Sequence, residues 1–141
     1  MPIVFLCPTG TYASLVAANL YLGKINSNCK LGDILELPHF GEFFGTPGIF
    51  LYVGKDFLGN MIYTLGTSCE GPLIKKSAID LLKILGHDPD KIKLYDVTMF
   101  VPKHLTWSNA ILARPSKKLI AQSLFKRLTL IEREIKNQQD L

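Results

Sequence analysis

The opening stretch, residues 3–21 with the sequence IVFLCPTGTYASLVAANLY, decides the fold. Its first four residues are apolar, rich in β-formers and bounded by prolines, which is typical of a strand buried on both faces of a sheet. Beyond CPTGTY, apolar residues recur at helical spacing from Ala13 to Tyr21, and Gly23 stands where a helix-ending glycine is expected. The stretch therefore predicts a central strand, a tight loop and a helix.

Three more segments extend the predicted sheet. Residues 49–53 and 61–65 are apolar runs joined by GKDFLGN, a connection that suits an antiparallel hairpin. Residues 92–97 predict a fourth strand. Together these segments predict a three-layer α/β domain, Rossmann-like or phosphatase-like, with a mostly parallel sheet of about four strands and a β-hairpin.

Two helices are predicted between the strands. A weak helical pattern covers residues 31–37, and the glycine- and phenylalanine-rich residues 39–48 predict an irregular loop whose aromatic rings cap the core or, alternatively, cover a ligand. The clearest helix begins near Pro72 and ends before Gly86. Its apolar face comprises Ile74, Ala78, Leu81, Leu82 and Leu85.

The end of the chain predicts a short helix within residues 102–114 and a long C-terminal helix over about 116–138, with Ser116 as its cap. A broad apolar stripe runs along this last helix. It is expected to pack on its own domain; the alternative is a protein-interaction module in which the helix mediates a homo-oligomer.

Composition excludes several classes of protein. The chain has 141 residues, 48% of them hydrophobic, so one folded domain over residues 1–141 is expected. The net charge of +4 is spread along the sequence and predicts no nucleic-acid binding. No apolar run is long enough to cross a bilayer, and the start of the chain lacks a secretory signal, so we expect no membrane binding and a cytoplasmic location.

No metal site or cofactor is predicted. The three cysteines have neither zinc-ligand nor C-x-x-C spacing and are expected to be free thiols, and the three histidines share no metal-binding spacing. These six residues are Cys7, Cys29, Cys69, His39, His87 and His104.

Residues 7–14, CPTGTYAS, form the candidate site because they leave a buried strand and enter a helix. The first amides of a helix have no internal partners and the helix dipole is positive at that end, so anions bind there. The segment matches neither the P-loop nor the dinucleotide-binding glycine pattern. A small anionic or phosphorylated ligand is expected, with the loop residues Thr9, Gly10, Thr11, Tyr12 and Ser14 as its binding residues.

The same segment resembles the opening of the low-molecular-weight tyrosine phosphatases. Cys7 matches their nucleophile and Ser14 the serine that supports it, while Ala13 stands where those enzymes have arginine. The resemblance implies attack of a thiolate on phosphorus with an aspartic acid as proton donor, for which Asp88, Asp90 and Asp96 are equal candidates. Because the arginine is missing, binding with degenerate or no catalysis is favoured, and a cysteine-dependent enzyme using Cys7 is the alternative.

A longer resemblance, over about residues 1–100, is to a small Firmicutes family, the domain of unknown function numbered 3189. Its loop pattern C-x-G-G-T-H-S-S is retained at Cys7, Gly10, Thr11 and Ser14 and departs at Thr9, Tyr12 and Ala13. Its second pattern is retained at Gly54, Lys55, Asp56, Gly59, Asn60, Tyr63 and Gly66. The resemblance implies that the hairpin folds toward the carboxyl end of the first strand, where Lys55 and Asp56 join the ligand site. The alternative is that Asp56 makes local hydrogen bonds within the turn.

Overall fold

The computed structural model describes residues 1–42, 48–68, 70–101 and 117–140. The described residues form four strands, namely β1 (Pro2–Cys7), β2 (Phe50–Lys55), β3 (Met61–Gly66) and β4 (Lys93–Asp96). They also form α1 (Ala13–Tyr21), α2 (Leu31–Leu35), α3 (Gly71–Ile84), α4 (Lys117–Lys126) and α5 (Leu128–Gln139). The predicted helix within 102–114 and the residues Phe43, Phe44, Cys69, His104 and Ser116 lie outside the described ranges. None of the helices so described is both long and apolar enough to cross a membrane.

The four strands form one sheet in the order β2-β3-β1-β4. β1 runs parallel to both β3 and β4, whereas β2 runs antiparallel to β3, so the predicted mixed sheet with one hairpin is confirmed. The carboxyl ends of β1, β3 and β4 therefore meet at one edge of the sheet.

Successive apolar side chains of β1 point to opposite faces of the sheet, so the strand contributes to a core on each side. Phe5 and Cys7 lie on the face covered by α1, α2, α4 and α5, and this side holds the larger core. Val4 and Leu6 lie on the other face, where Ala78 of α3 packs against them. The three-layer arrangement follows, with helices on both sides of the sheet.

Helix α3 buries less of its apolar face than the sequence predicts. Ala78 contacts the core, but Ile74, Leu81 and Leu85 remain 37%, 55% and 61% exposed. The periodicity correctly identifies the helix, yet no described element covers that side of it.

The predicted long C-terminal helix is divided in two at Arg127, whose backbone leaves the helical region (φ −110°, ψ 7°). The Arg127 guanidinium donates a hydrogen bond to the Phe100 carbonyl (3.2 Å), which fixes the break against the turn after β4. Both halves pack on the domain. Their apolar stripe is buried, at Ile120, Leu124, Leu128, Ile131 and Ile135.

Candidate functional site

The segment after β1 lies at the edge of the sheet where three parallel strands end. The Thr67 amide, just beyond β3, donates to the Cys7 carbonyl (3.0 Å), and the Ser68 amide donates to the Pro8 carbonyl (3.0 Å). On the other side of β1, the Val97 amide donates to the Leu6 carbonyl (2.9 Å). The base of the loop is therefore held by the backbone of both neighbouring strands.

Two glycines allow the loop to lie directly on the end of β3. Gly10 has φ +75°, and a Cβ added there would come within 2.6 Å of the Gly66 amide nitrogen. A Cβ added at Gly66 would in turn come within 2.9 Å of the Thr9 carbonyl carbon and oxygen. Gly66 is thus a structural partner of the loop, and its place in the second family-like pattern is the sequence signal for it.

The Cys7 side chain is fully buried beneath this loop and has three polar neighbours, of which Thr9 Oγ1 is the most distant from Sγ, at 3.9 Å. The Gly10 amide donates to Cys7 Sγ (3.2 Å), and Ser14 Oγ lies 3.0 Å from the same sulfur. The structure therefore brings together Cys7, Gly10 and Ser14, three residues of the predicted site.

The two threonines of the loop hydrogen-bond mainly within the protein. The Thr11 amide donates to Thr9 Oγ1 (3.3 Å), and the Thr11 hydroxyl donates to the Glu42 carbonyl (2.7 Å). The Gly41 amide donates to the Thr11 carbonyl (3.1 Å). The chain around Gly41 and Glu42 is therefore fastened to the loop, and Thr11, only 1% exposed, serves first to hold it there.

Tyr12 precedes helix α1 without capping it through its side chain. Its ring is 3% exposed and meets the ring of Phe40 edge to face at a centroid distance of 5.3 Å. The Tyr12 ring therefore packs in the core. Phe40, 1% exposed, caps that core as predicted.

The first amides of α1 are donors that lack an acceptor among the described residues. Ala13 and Ser14 are fully buried, and neither amide has a hydrogen-bond acceptor within the described ranges. The first turn of α1 also contains no acidic residue that could reach back to them. The dipole of the helix adds to the positive potential at these amides.

Helix α3 begins differently, because it has an anionic group of its own. A Cβ at Gly71 would come within 2.5 Å of Asp96 Oδ2, so this carboxylate occupies the start of α3. Asp96 also accepts a hydrogen bond from the Thr98 amide through Oδ1 (3.0 Å). The two helix starts at this edge therefore differ, because a carboxylate of the protein lies against the first residue of α3.

The proposed aspartic acid donors do not face Cys7. Asp96 pairs with Leu6 and lies on the α3 face of the sheet, whereas Cys7 faces α1. Asp88 and Asp90 lie in the turn that precedes β4, at its amino end, and Asp88 Oδ1 accepts from the Asp90 amide (3.0 Å). None of the three is placed to protonate a group bound above Cys7.

Lys55 and Asp56 lie at the opposite edge of the sheet. Lys55 pairs with Met61, which pairs in turn with Pro2 at the start of β1, whereas Cys7 is at its end. The prediction that the hairpin brings Lys55 and Asp56 to the ligand site is therefore wrong. An antiparallel strand that pairs with β3 must turn at the amino end of β3, away from the loop.

Asp56 organises the hairpin instead. Its carboxylate accepts hydrogen bonds from the Leu58 amide (2.9 Å), from the Asn60 amide and side chain (2.8 and 2.9 Å) and from the Tyr21 hydroxyl (3.2 Å). Desolvation opposes ionisation of Asp56, but these hydrogen bonds prevail and hold its pKa below the ordinary value. The second family-like pattern thus encodes a turn and its attachment to α1.

A cationic side chain that the sequence did not reveal lies near the loop. The aliphatic stem of Lys117, at the start of α4, crosses Gly41, where a Cβ would come within 2.9 Å of Lys117 Cγ and Cε. Gly41 is itself bonded to Thr11. No local pattern could predict this contact, because it joins distant parts of the chain.

Other reactive residues stay apart from the loop. Cys29 is half-buried. Desolvation raises the pKa of its thiol, and the negative charge of the nearby Asp33 raises it further, so the thiolate is disfavoured. His39 is exposed and bonds through Nδ1 to Glu42 Oε2 (2.7 Å). Within the described ranges no three His, Cys, Asp or Glu side chains form a group that could hold a metal ion.

Comparison with known proteins places the chain in a family. The model of a family described as a protein of unknown function, DUF3189, matches residues 2–137. The chain belongs to the DUF3189 family. No curated protein and no solved structure matches it.

Proposed function

We propose that the loop of residues 7–14 binds a small anionic or phosphorylated ligand, and that binding with degenerate or no catalysis is the function of the domain. The observation that carries this proposal is the pair of buried amides at Ala13 and Ser14, which have no acceptor among the described residues. A buried donor left unsatisfied costs about 1–3 kcal/mol, so an anion bound at both amides would be favoured.

The surroundings of the loop support an anion rather than a neutral ligand. The amides lie at the positive end of α1, and the first turn of that helix has no acidic side chain. Lys117 adds a positive charge beside Gly41, near the same loop. At the start of α3, by contrast, the Asp96 carboxylate already places a negative charge against Gly71.

Inorganic phosphate tests the proposal. We expect thermal unfolding to move upward with phosphate concentration when compared with chloride at equal ionic strength. At a concentration about 100 times the dissociation constant, ligand binding stabilises the native state by about 2.7 kcal/mol. Lys117→Gln should weaken phosphate binding several-fold. The control substitution Lys118→Gln, at the exposed neighbouring position, should leave phosphate binding unchanged. Thermal unfolding curves that are the same in phosphate and in chloride would contradict the proposal.

The second candidate is cysteine-dependent phosphoryl transfer, favoured by the polar groups around Cys7 Sγ. In this reaction the thiolate forms an S–P bond as the P–O ester bond breaks, the leaving oxygen takes a proton from water, and a second water hydrolyses the phosphocysteine. A missing transition-state donor costs about a hundredfold to a thousandfold in rate, so Ala13 in place of arginine predicts slow turnover at best.

Turnover of an aryl phosphate, measured with Cys7→Ser as control, separates the two candidates. Phosphate-dependent stabilisation without Cys7-dependent turnover supports a binding protein. Turnover that Cys7→Ser abolishes, together with a phosphorylated Cys7 detected by mass spectrometry, supports the enzyme.

A further inference from the structure

Among the described residues, those of α3 cover only part of one side of the sheet. Helix α3 packs on β4 and β1, but beyond it the outward side chains of β2 and β3 are open: Phe50, Tyr52 and Met61 are 59%, 58% and 42% exposed. The rings of Phe50 and Tyr52 meet the ring of Tyr63 edge to face, at centroid distances of 6.5 and 5.6 Å. A sheet face of this kind is normally covered by a helix or another sheet.

The exposed apolar side of α3 borders this open sheet. Ala78 points to the sheet, while Lys75 and Ile79 line a cleft at β4 on one flank of the helix. Helical geometry directs the residues at positions −4, +3 and +7 from Ala78 to the other flank, toward β3. These are Ile74, Leu81 and Leu85, all exposed. We call this flank of α3 and the adjacent β2–β3 surface the uncovered face.

The size of the uncovered face is suited to a stable interface. Its six side chains, Phe50, Tyr52, Met61, Ile74, Leu81 and Leu85, are 37–61% exposed. Taking about 200 Å² for a fully exposed large side chain, they present roughly 600 Å² of apolar surface. A standard interface buries about 800 Å² on each partner including its polar rim, so little more than these side chains and their border is needed.

The uncovered face has two parts. One part is an apolar ridge, the flank of α3, and the other is an adjacent apolar platform, the β2–β3 surface. The ridge of one molecule could cover the platform of another. We propose that a second copy of this chain covers the uncovered face. A two-fold axis then places the α3 ridge of each protomer on the β2–β3 platform of its partner, so that both exposed surfaces are buried at once.

The proposal is tested first by the mass of the full chain in solution. We expect a dimer at micromolar concentration by sedimentation or light scattering. Leu81→Glu on the ridge and Tyr52→Lys on the platform should each raise the dimer dissociation constant at least about a hundredfold, because every substitution occurs twice in a symmetric dimer. Both sites are more than half exposed, so circular dichroism should show an unchanged fold.

Leu119→Glu is the matched control, because Leu119 is 57% exposed on α4, outside the uncovered face. It should leave the dimer intact. If Leu119→Glu dissociates the dimer and Leu81→Glu does not, the C-terminal helices form the interface and the proposal is overturned. A wild-type chain that stays monomeric at about 100 μM, well above the dissociation constant of a standard interface, overturns it as well.

Mixing the two variants tests the arrangement of ridge on platform. In a mixed dimer of Leu81→Glu with Tyr52→Lys, one contact joins Glu to Lys and the other remains as in the native chain. We therefore expect the mixture to form heterodimers although each variant alone is monomeric. If the mixture stays monomeric, the ridge does not meet the platform and the proposed geometry is wrong.

Discussion

Gly10 is the residue on which the shape of the candidate site depends most. Its φ of +75° disfavours any side chain, and its contact with Gly66 leaves no room for a Cβ. Gly23 offers a matched comparison, since it has φ +68° but a Cβ added there would meet nothing within 4 Å. The two glycines therefore separate the effect of backbone conformation from that of close packing.

We expect Gly10→Ala to lower the free energy of unfolding more than Gly23→Ala does. In both variants the free energy of unfolding falls by about 1–2 kcal/mol, because a side chain is placed in the left-handed region. Gly10→Ala adds about 1–3 kcal/mol for overpacking against β3. Urea unfolding of both variants measures the difference, and equal losses would show that the loop does not depend on its contact with Gly66.

At the scale of elements, the hairpin connecting β2 and β3 depends on one carboxylate. Asp56 gathers the turn amides and ties the hairpin to Tyr21 at the end of α1. Because hydrogen bonding lowers the folded-state pKa of Asp56, its contribution to stability is present above the unfolded-state value, near 3.9, and is lost as the pH falls through the folded-state pKa.

Asp56→Asn should therefore lower the free energy of unfolding by about 1–2 kcal/mol at pH 7, since charge-assisted hydrogen bonds are replaced by neutral ones. The gap between wild type and variant should narrow below about pH 4. Asp80→Asn, at an exposed position of α3, is the control and should change the free energy of unfolding at pH 7 by less than about 0.5 kcal/mol. Denaturant titrations at pH 7 and below about pH 4 check the prediction. A difference in unfolding free energy between wild type and Asp56→Asn that is constant with pH would contradict it.

At the scale of the whole molecule, the sequence predicts what depends on local pattern. The strand IVFL, the hairpin and α3 follow from apolar periodicity and turn residues, and so does the placement of the loop at the edge of the sheet. The contacts that complete the site are different. Lys117 on Gly41, Arg127 on Phe100 and the open flank of α3 depend on how distant elements pack, which one sequence does not encode locally.

Lys55 shows why a shared pattern misleads about place. Its neighbours form a recognisable turn, but antiparallel pairing with β3 fixes the turn at the edge of the sheet opposite Cys7. Gly66 belongs to the same pattern and does reach the loop, because it lies at the other end of β3. The position of a residue along its strand, and not its membership of the pattern, decides whether it belongs to the candidate site.

The most direct test of anion binding follows backbone amide resonances during a titration with inorganic phosphate. We predict saturable shifts of the Ala13 and Ser14 amides, which have no acceptor among the described residues, and little change at Gly71 and Leu73, where Asp96 occupies the start of α3. If Ala13 and Ser14 do not respond, or respond no more than Gly71 and Leu73, the loop after β1 is not an anion site.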